Sequence, residues 1–144
     1  MKSQTIDLFA GSFEGLELNE LYATANELAQ THWNIPYTGK IELVDAKWKR
    51  TGAKLTLGEN PTIRMSRSVN ERMGTEKIKQ FLLHELVHWY LYSNGKPYHD
   101  DTEEFVKECI RVGAPISKNK KARRAAGVYG NNGKRIKGDM LIGG

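Results

Sequence analysis

From Leu18 onward the apolar residues Leu18, Leu21, Tyr22, Ala25, Leu28 and Ala29 recur at steps of three and four, with Glu20, Glu27 and Gln30 between them. That spacing predicts an amphipathic helix ending near Trp33, before Pro36. Three short β-rich runs follow: IELVDA after Gly39, then AKLTL, then PTIRMSRS. They are separated by WKRTG and GEN, whose Gly and Asn suit turns, and they predict a small, mainly antiparallel sheet. The first 15 residues show no clear period and read as a lead-in.

A second helix is expected to open with Thr75 as its N-cap and Glu76 in its first turn, where a negative charge meets the positive end of the helix dipole. Ile78, Phe81, Leu82, Leu83, Leu86, Val87, Trp89, Tyr90 and Leu91 cover most of its circumference, so it is the core helix, running to about Ser93. Asn94-Gly95 stops it and Lys96-Pro97 prevents its continuation. Asp101 and Glu104 then suggest a capping box for a third helix through about Val112. Pro115 closes the compact part. Residues 116–144 read as a tail rich in Gly and Lys, with a candidate hairpin at Gly130-Asn131-Asn132-Gly133, and no internal repeat is evident. The class is therefore α+β.

The chain has 144 residues, 39% of them hydrophobic and 27% charged, which suits one globular domain and excludes wholesale disorder. No apolar run approaches the roughly 18 to 20 residues of a membrane span. The opening MKSQTIDLFAG lacks the apolar segment of a signal peptide, so a soluble, cytoplasmic protein with no membrane partner is expected. A single cysteine, Cys109, rules out an internal disulfide framework and any structural zinc site needing two or more thiolates. It reads as a small buried hydrophobe and not a nucleophile. Charge is unevenly spread: residues 1–114 carry a net −2, and residues 115–144 carry +7. A cationic tail on a near-neutral body either solubilises the chain or meets a phosphate backbone.

Within the core helix lies His84-Glu85-Leu86-Val87-His88, which fits H-E-x-x-H. Histidines four apart project from one helical face about 6 Å from each other, so both imidazoles can reach one ion. A helix that merely stores these groups in its core is disfavoured, because a buried ionised glutamate costs several kcal/mol unless a cation compensates it. A catalytic zinc keeps three protein ligands and an open position. His99, just beyond the Gly95–Pro97 turn, is the expected third ligand, with Glu104 or Glu108 on the third helix as alternatives. The metzincin pattern is excluded, because Leu91 and Asn94 occupy its glycine and third histidine positions. The expected chemistry is peptide hydrolysis, with one Zn2+ per chain acidifying a water and Glu85 as general base. Tyr98, Tyr90 and Arg64 are oxyanion donors by residue type alone.

With these residues in view, the chain resembles the SprT-like metalloprotease family, which includes bacterial SprT and the eukaryotic protease Spartan. The resemblance spans about residues 18–112 and rests on LNELYATANELAQ, WKRTGAKLTL, PTIRMSRSV, FLLHELVHWYLY and HDDTEEF, in that order. It implies a minimal zincin-type metalloprotease domain over residues 1–115, zinc bound by His84, His88 and His99, and a catalytic Glu85. The family pattern H-G-x-E-F is altered: Asp100 follows His99, and Phe105 comes two residues later than that pattern sets it. The C-terminal ribbon of four cysteines is also lacking.

The resemblance further implies cleavage of proteins trapped on DNA. Lys118, Lys120, Lys121, Arg123, Arg124, Lys134, Arg135 and Lys137 are the candidate DNA contacts, with sequence-tolerant, salt-sensitive binding. Trp48, between Lys47, Lys49 and Arg50, is a candidate contact for a base or substrate, whereas Trp89 and Tyr90 read as core. A monomer acting on a protein substrate is expected. Two other readings stand beside it: a DNA-binding accessory protein with a structural or inactive zinc site, and a zinc hydrolase acting on a small amide.

Overall fold

A computed structural model describes residues 16–46, 48, 52–117 and 120–129, and the backbone of 141–142. The lead-in, Lys47, Lys49, Arg50 and the candidate hairpin lie outside the described residues. Helix α1 (Leu18–Trp33) occupies the predicted span. Glu17 and Glu20 close a reciprocal capping box at its start, and Asn34 ends it in the left-handed conformation that asparagine tolerates.

Strands β1 (Lys40–Val44), β2 (Ala53–Thr56) and β3 (Thr62–Ser66) form one sheet in the order β1-β3-β2. The sheet is mixed: β2 pairs antiparallel with β3, as expected, but β1 pairs parallel with β3, from Lys40 beside Thr62 to Val44 beside Ser66. The chain passes from β1 to the far edge before β3 enters between the two, so β3 takes the central position. Its Ile63 and Met65 are fully buried. On the outer edge of β1, Tyr22 Oη accepts from the Ile41 amide at 2.9 Å and donates to its carbonyl at 3.2 Å, tying α1 to the sheet.

A short helix, α2 (Arg67–Met73), follows β3 directly. The PTIRMSRS run does not stay extended to its end, because Ser66 Oγ accepts from Val69 N and caps a helix there. Helix α3 (Thr75–Ser93) has Gly74 and not Thr75 at its N-cap. It is buried on two sides, as its sequence requires. Ile78, Phe81, Leu82, Leu86 and Trp89 join α1 and the sheet in one cluster. Leu83, Val87 and Leu91 join a second cluster with Phe105, Val106, Cys109 and Val112 of α4 (Glu103–Val112). The sheet meets α3 closely at Gly52, where a Cβ would come within 2.0 Å of the Phe81 ring.

Thr102, not Asp101, caps α4, its hydroxyl accepting from Phe105 N. The packed structure also runs past Pro115. Ile116 and Ser117 form a two-residue strand, β4, paired parallel with β5 (Leu141–Ile142). Helix α5 (Lys120–Tyr129) buries Ala122, Ala125 and Ala126 in the second cluster. Alanine favours helix and lets α5 approach closely, and this face carries no large apolar residue to announce it. Among the described residues, no helix is long and apolar enough to cross a membrane.

Candidate metal centre

Helix α3 sets His84 and His88 one turn apart, with ring centroids 5.0 Å from each other and planes at 76°. Each ring is anchored by its Nδ1. That of His84 lies 2.7 Å from the Pro115 carbonyl, and that of His88 lies 2.5 Å from the Tyr98 carbonyl. A carbonyl can only accept, so each Nδ1 donates, and in a neutral ring Nε2 is left as the free lone pair.

The third group that could ligate an ion is Asp100. Its Oδ1 lies 2.7 Å from His88 Nε2 and 3.8 Å from His84 Nε2. The donor atoms of His84, His88 and Asp100 all fall within 4.8 Å of one another, and the three residues could hold a metal ion. A tetrahedral ion with ligands about 2.1 Å away sets its donors about 3.4 Å apart. The two measured separations bracket that value, and two imidazoles with one carboxylate are a ligand set that zinc accepts. A neutral His88 would face Asp100 acceptor to acceptor, so the contact calls for a proton or a cation between them.

The electrostatics agree with this geometry. Burial, helped by the charge of His88, holds His84 down at about 4, so it is neutral near pH 7. Burial also opposes charging of His88, but the Asp100 hydrogen bond and the charges of Glu85 and Asp100 outweigh it and raise its pKa. Glu85, only 8% exposed, is pushed up to about 7 by burial; His88 pulls it down and Asp100 pushes it up. The centre opens onto a cleft of about 510 Å³ lined by His88, His99, Asp100, Asp101 and Lys121.

A family model for the SprT-like family matches residues 18–122. The chain belongs to the SprT-like family. A protein named "Protein SprT-like" from Anoxybacillus flavithermus is 27% identical over 113 residues, 74% of each chain. Another of that name, from Geobacillus kaustophilus, is 28% identical over 86 residues, 56% of this chain and 57% of its own. No solved structure gives a significant match. The SprT-like match takes in His84, Glu85, His88, Asp100 and the first residues of α5.

Within this SprT-like domain the predicted site residues divide. His84, Glu85 and His88 come together as the motif requires. His99 lies beside the centre but outside the donor group: it is exposed, lines the cleft and stacks on Tyr98 at 4.5 Å. The reason is local. Thr102 N and Thr102 Oγ1 both donate to the His99 carbonyl, at 3.1 and 2.9 Å, and the turn they close brings Asp100 to His88. Of the carboxylate alternatives, Glu104 is exposed, and Glu108 accepts from Trp33 Nε1 at 2.6 Å and pairs with Arg111.

Tyr98 serves the centre through its carbonyl. Arg64 is engaged by Glu42 and Thr56, and Tyr90 stacks on Trp33. Trp89 is core, Trp48 is half-buried under the Lys54 ammonium, and Cys109 is fully buried with its thiol pKa raised by burial. Lys120, Lys121, Arg123 and Arg124 are exposed along α5, whereas Lys118, Lys134, Arg135 and Lys137 lie outside the described residues. Sequence reasoning missed Asp100. The offset of Phe105 was its signal, since counting from Asp100 leaves one extra residue where counting from His99 leaves two.

Proposed function

We propose that this SprT-like domain is a zinc-dependent peptidase acting on proteins, with His84, His88 and Asp100 as zinc ligands and Glu85 as general base. One arrangement carries the reading: a buried glutamate that lies in sequence between two histidines, whose Nε2 atoms converge with a carboxylate beside an open cleft. Bound zinc supplies a Lewis acid that polarises a carbonyl and acidifies a water. Glu85 accepts the proton of the attacking water and returns it to the leaving amine. The Pro115 and Tyr98 carbonyls keep the two imidazoles oriented throughout.

The substrates we infer are proteins held on nucleic acid. The support is spatial: α5 carries Lys120, Lys121, Arg123 and Arg124 on its exposed side, and Lys121 reaches the cleft itself. A phosphate backbone lying along α5 would hold its bound protein beside Glu85. The test is zinc content of the purified chain, with cleavage of casein followed with and without single-stranded DNA. About one zinc per chain and DNA-stimulated cleavage, lost in Glu85→Gln while zinc is kept, is the expected result. Stoichiometric zinc with no cleavage under either condition would leave a DNA-binding accessory protein with a structural site.

A further inference from the structure

We propose that Phe105 is a positioning residue that fixes the planes of the His84 and His88 rings for a divalent cation. The inference rests on the metal-centre reading above. Phe105 comes from α4, has no exposed surface, and fills the corner between the two imidazoles. Its ring stacks on His88 with centroids 4.1 Å apart and planes at 19°, and meets His84 edge-on at 5.2 Å and 76°.

An Nδ1 hydrogen bond sets the direction of one ring nitrogen but leaves the ring plane some freedom to rock about the N–H···O line. For His88 the Tyr98 carbonyl supplies the first constraint and the Phe105 face supplies the second; for His84 the Pro115 carbonyl and the Phe105 edge do the same. Together they aim both Nε2 atoms at one point before any ion arrives, so the cost of ordering the rings falls on folding and not on binding. The same helix also sets the third donor. Thr102 caps α4 and closes the turn that holds Asp100, three residues before the helix starts. The seating of α4 against α3 therefore fixes the carboxylate and the two ring planes in one step.

The test compares wild type with Phe105→Leu and Phe105→Met, which fill most of the volume without offering a flat face. Three readouts are used: melting in EDTA, zinc affinity by competition with a chromophoric chelator, and the visible absorption bands of the Co2+-loaded protein. The expected result is a folded variant whose zinc Kd rises roughly 10- to 100-fold, as for other groups that orient metal ligands, with altered Co2+ bands. A purely structural Phe105 would lower the EDTA melting temperature and leave zinc affinity and Co2+ bands at wild-type values, which overturns the inference and leaves the metal centre standing. No zinc or Co2+ binding by wild type overturns both. Should neither variant fold, the wild-type apoprotein decides. Ring-current upfield shifts of the His88 ring protons support the stack, and ordinary shifts overturn it.

Discussion

Asp100 Oδ1 stands 2.7 Å from His88 Nε2, while the neighbouring His99 lays its ring against Tyr98. Two adjacent residues with metal-binding side chains thus have different positions, one in the donor group and one on the cleft wall. Asp100→Ala is expected to weaken zinc binding by at least about 100-fold, comparable to or beyond the loss of an orienting group. His99→Ala is expected to keep zinc within a few-fold of wild type. Competition titration of both variants checks this, and the opposite ranking would return the third ligand to His99.

Glu85 gives the metal-free protein a pH signature. Its pKa in the fold is raised from an ordinary 4.5 to about 7, so the folded chain holds a proton that the unfolded chain has released. Stability from this group is therefore full below pH 4.5 and is lost as pH rises through about 7. Glu85→Gln removes the dependence. In EDTA the variant is expected to match wild type near pH 4.5 and to exceed it above pH 7, by up to about 3 kcal/mol for a shift of this size. Urea unfolding at the two pH values measures the gap; a gap that stays constant would contradict the burial of this carboxyl.

Glu108 behaves in the opposite sense. Burial tends to raise its pKa, but hydrogen bonds from Arg111 and Trp33 and the charge of Arg111 lower it overall. Its contribution is present above pH 4.5 and fades as pH falls through the lowered value. Glu108→Ala strands the Trp33 indole N–H at the joint between α1 and α4, where Trp33 also stacks on Tyr90. A loss of about 1–2 kcal/mol at pH 7 is expected, the range for a charge-assisted hydrogen bond that is only partly screened. The difference from wild type is expected to shrink on acidification, which thermal melts from pH 7 down to pH 3 will show.

What could be read beforehand follows from where the signal lies. The 3.6-residue period of α1 alternates leucines and alanines with polar residues, the apolar cover of α3 is dense, and both elements stand where the pattern set them. The motif histidines likewise share one face by helix geometry, although their ring planes depend on partners from elsewhere in the fold. Helix α5 reads as tail because its buried face is only Ala122, Ala125 and Ala126, with no large apolar residue, while the Lys and Arg opposite them suit a cationic tail equally well. The parallel β1–β3 pairing depends on which strand enters the centre, a tertiary choice that local alternation does not encode. Asp100 escapes a reading of the sequence for a similar reason. Which of two adjacent residues points inward is decided by the Thr102 turn, and a hydroxyl two or three positions away leaves no periodic trace.

Because α3 contributes to two clusters, with Leu28, Trp33 and Tyr90 packed against both, the molecule resembles two leaves bound along one spine. Both leaves mix long side chains with alanines, and the leaf with α4 and α5 also buries Cys109. The histidines belong to the spine, and Asp100 and Phe105 to the second leaf and the loop that leads into it. An ion joining them would act as a clasp on that leaf alone. Chelation would then remove one tie from the second leaf, the one that carries both Lys121 and the wall of the cleft, and none from the sheet side.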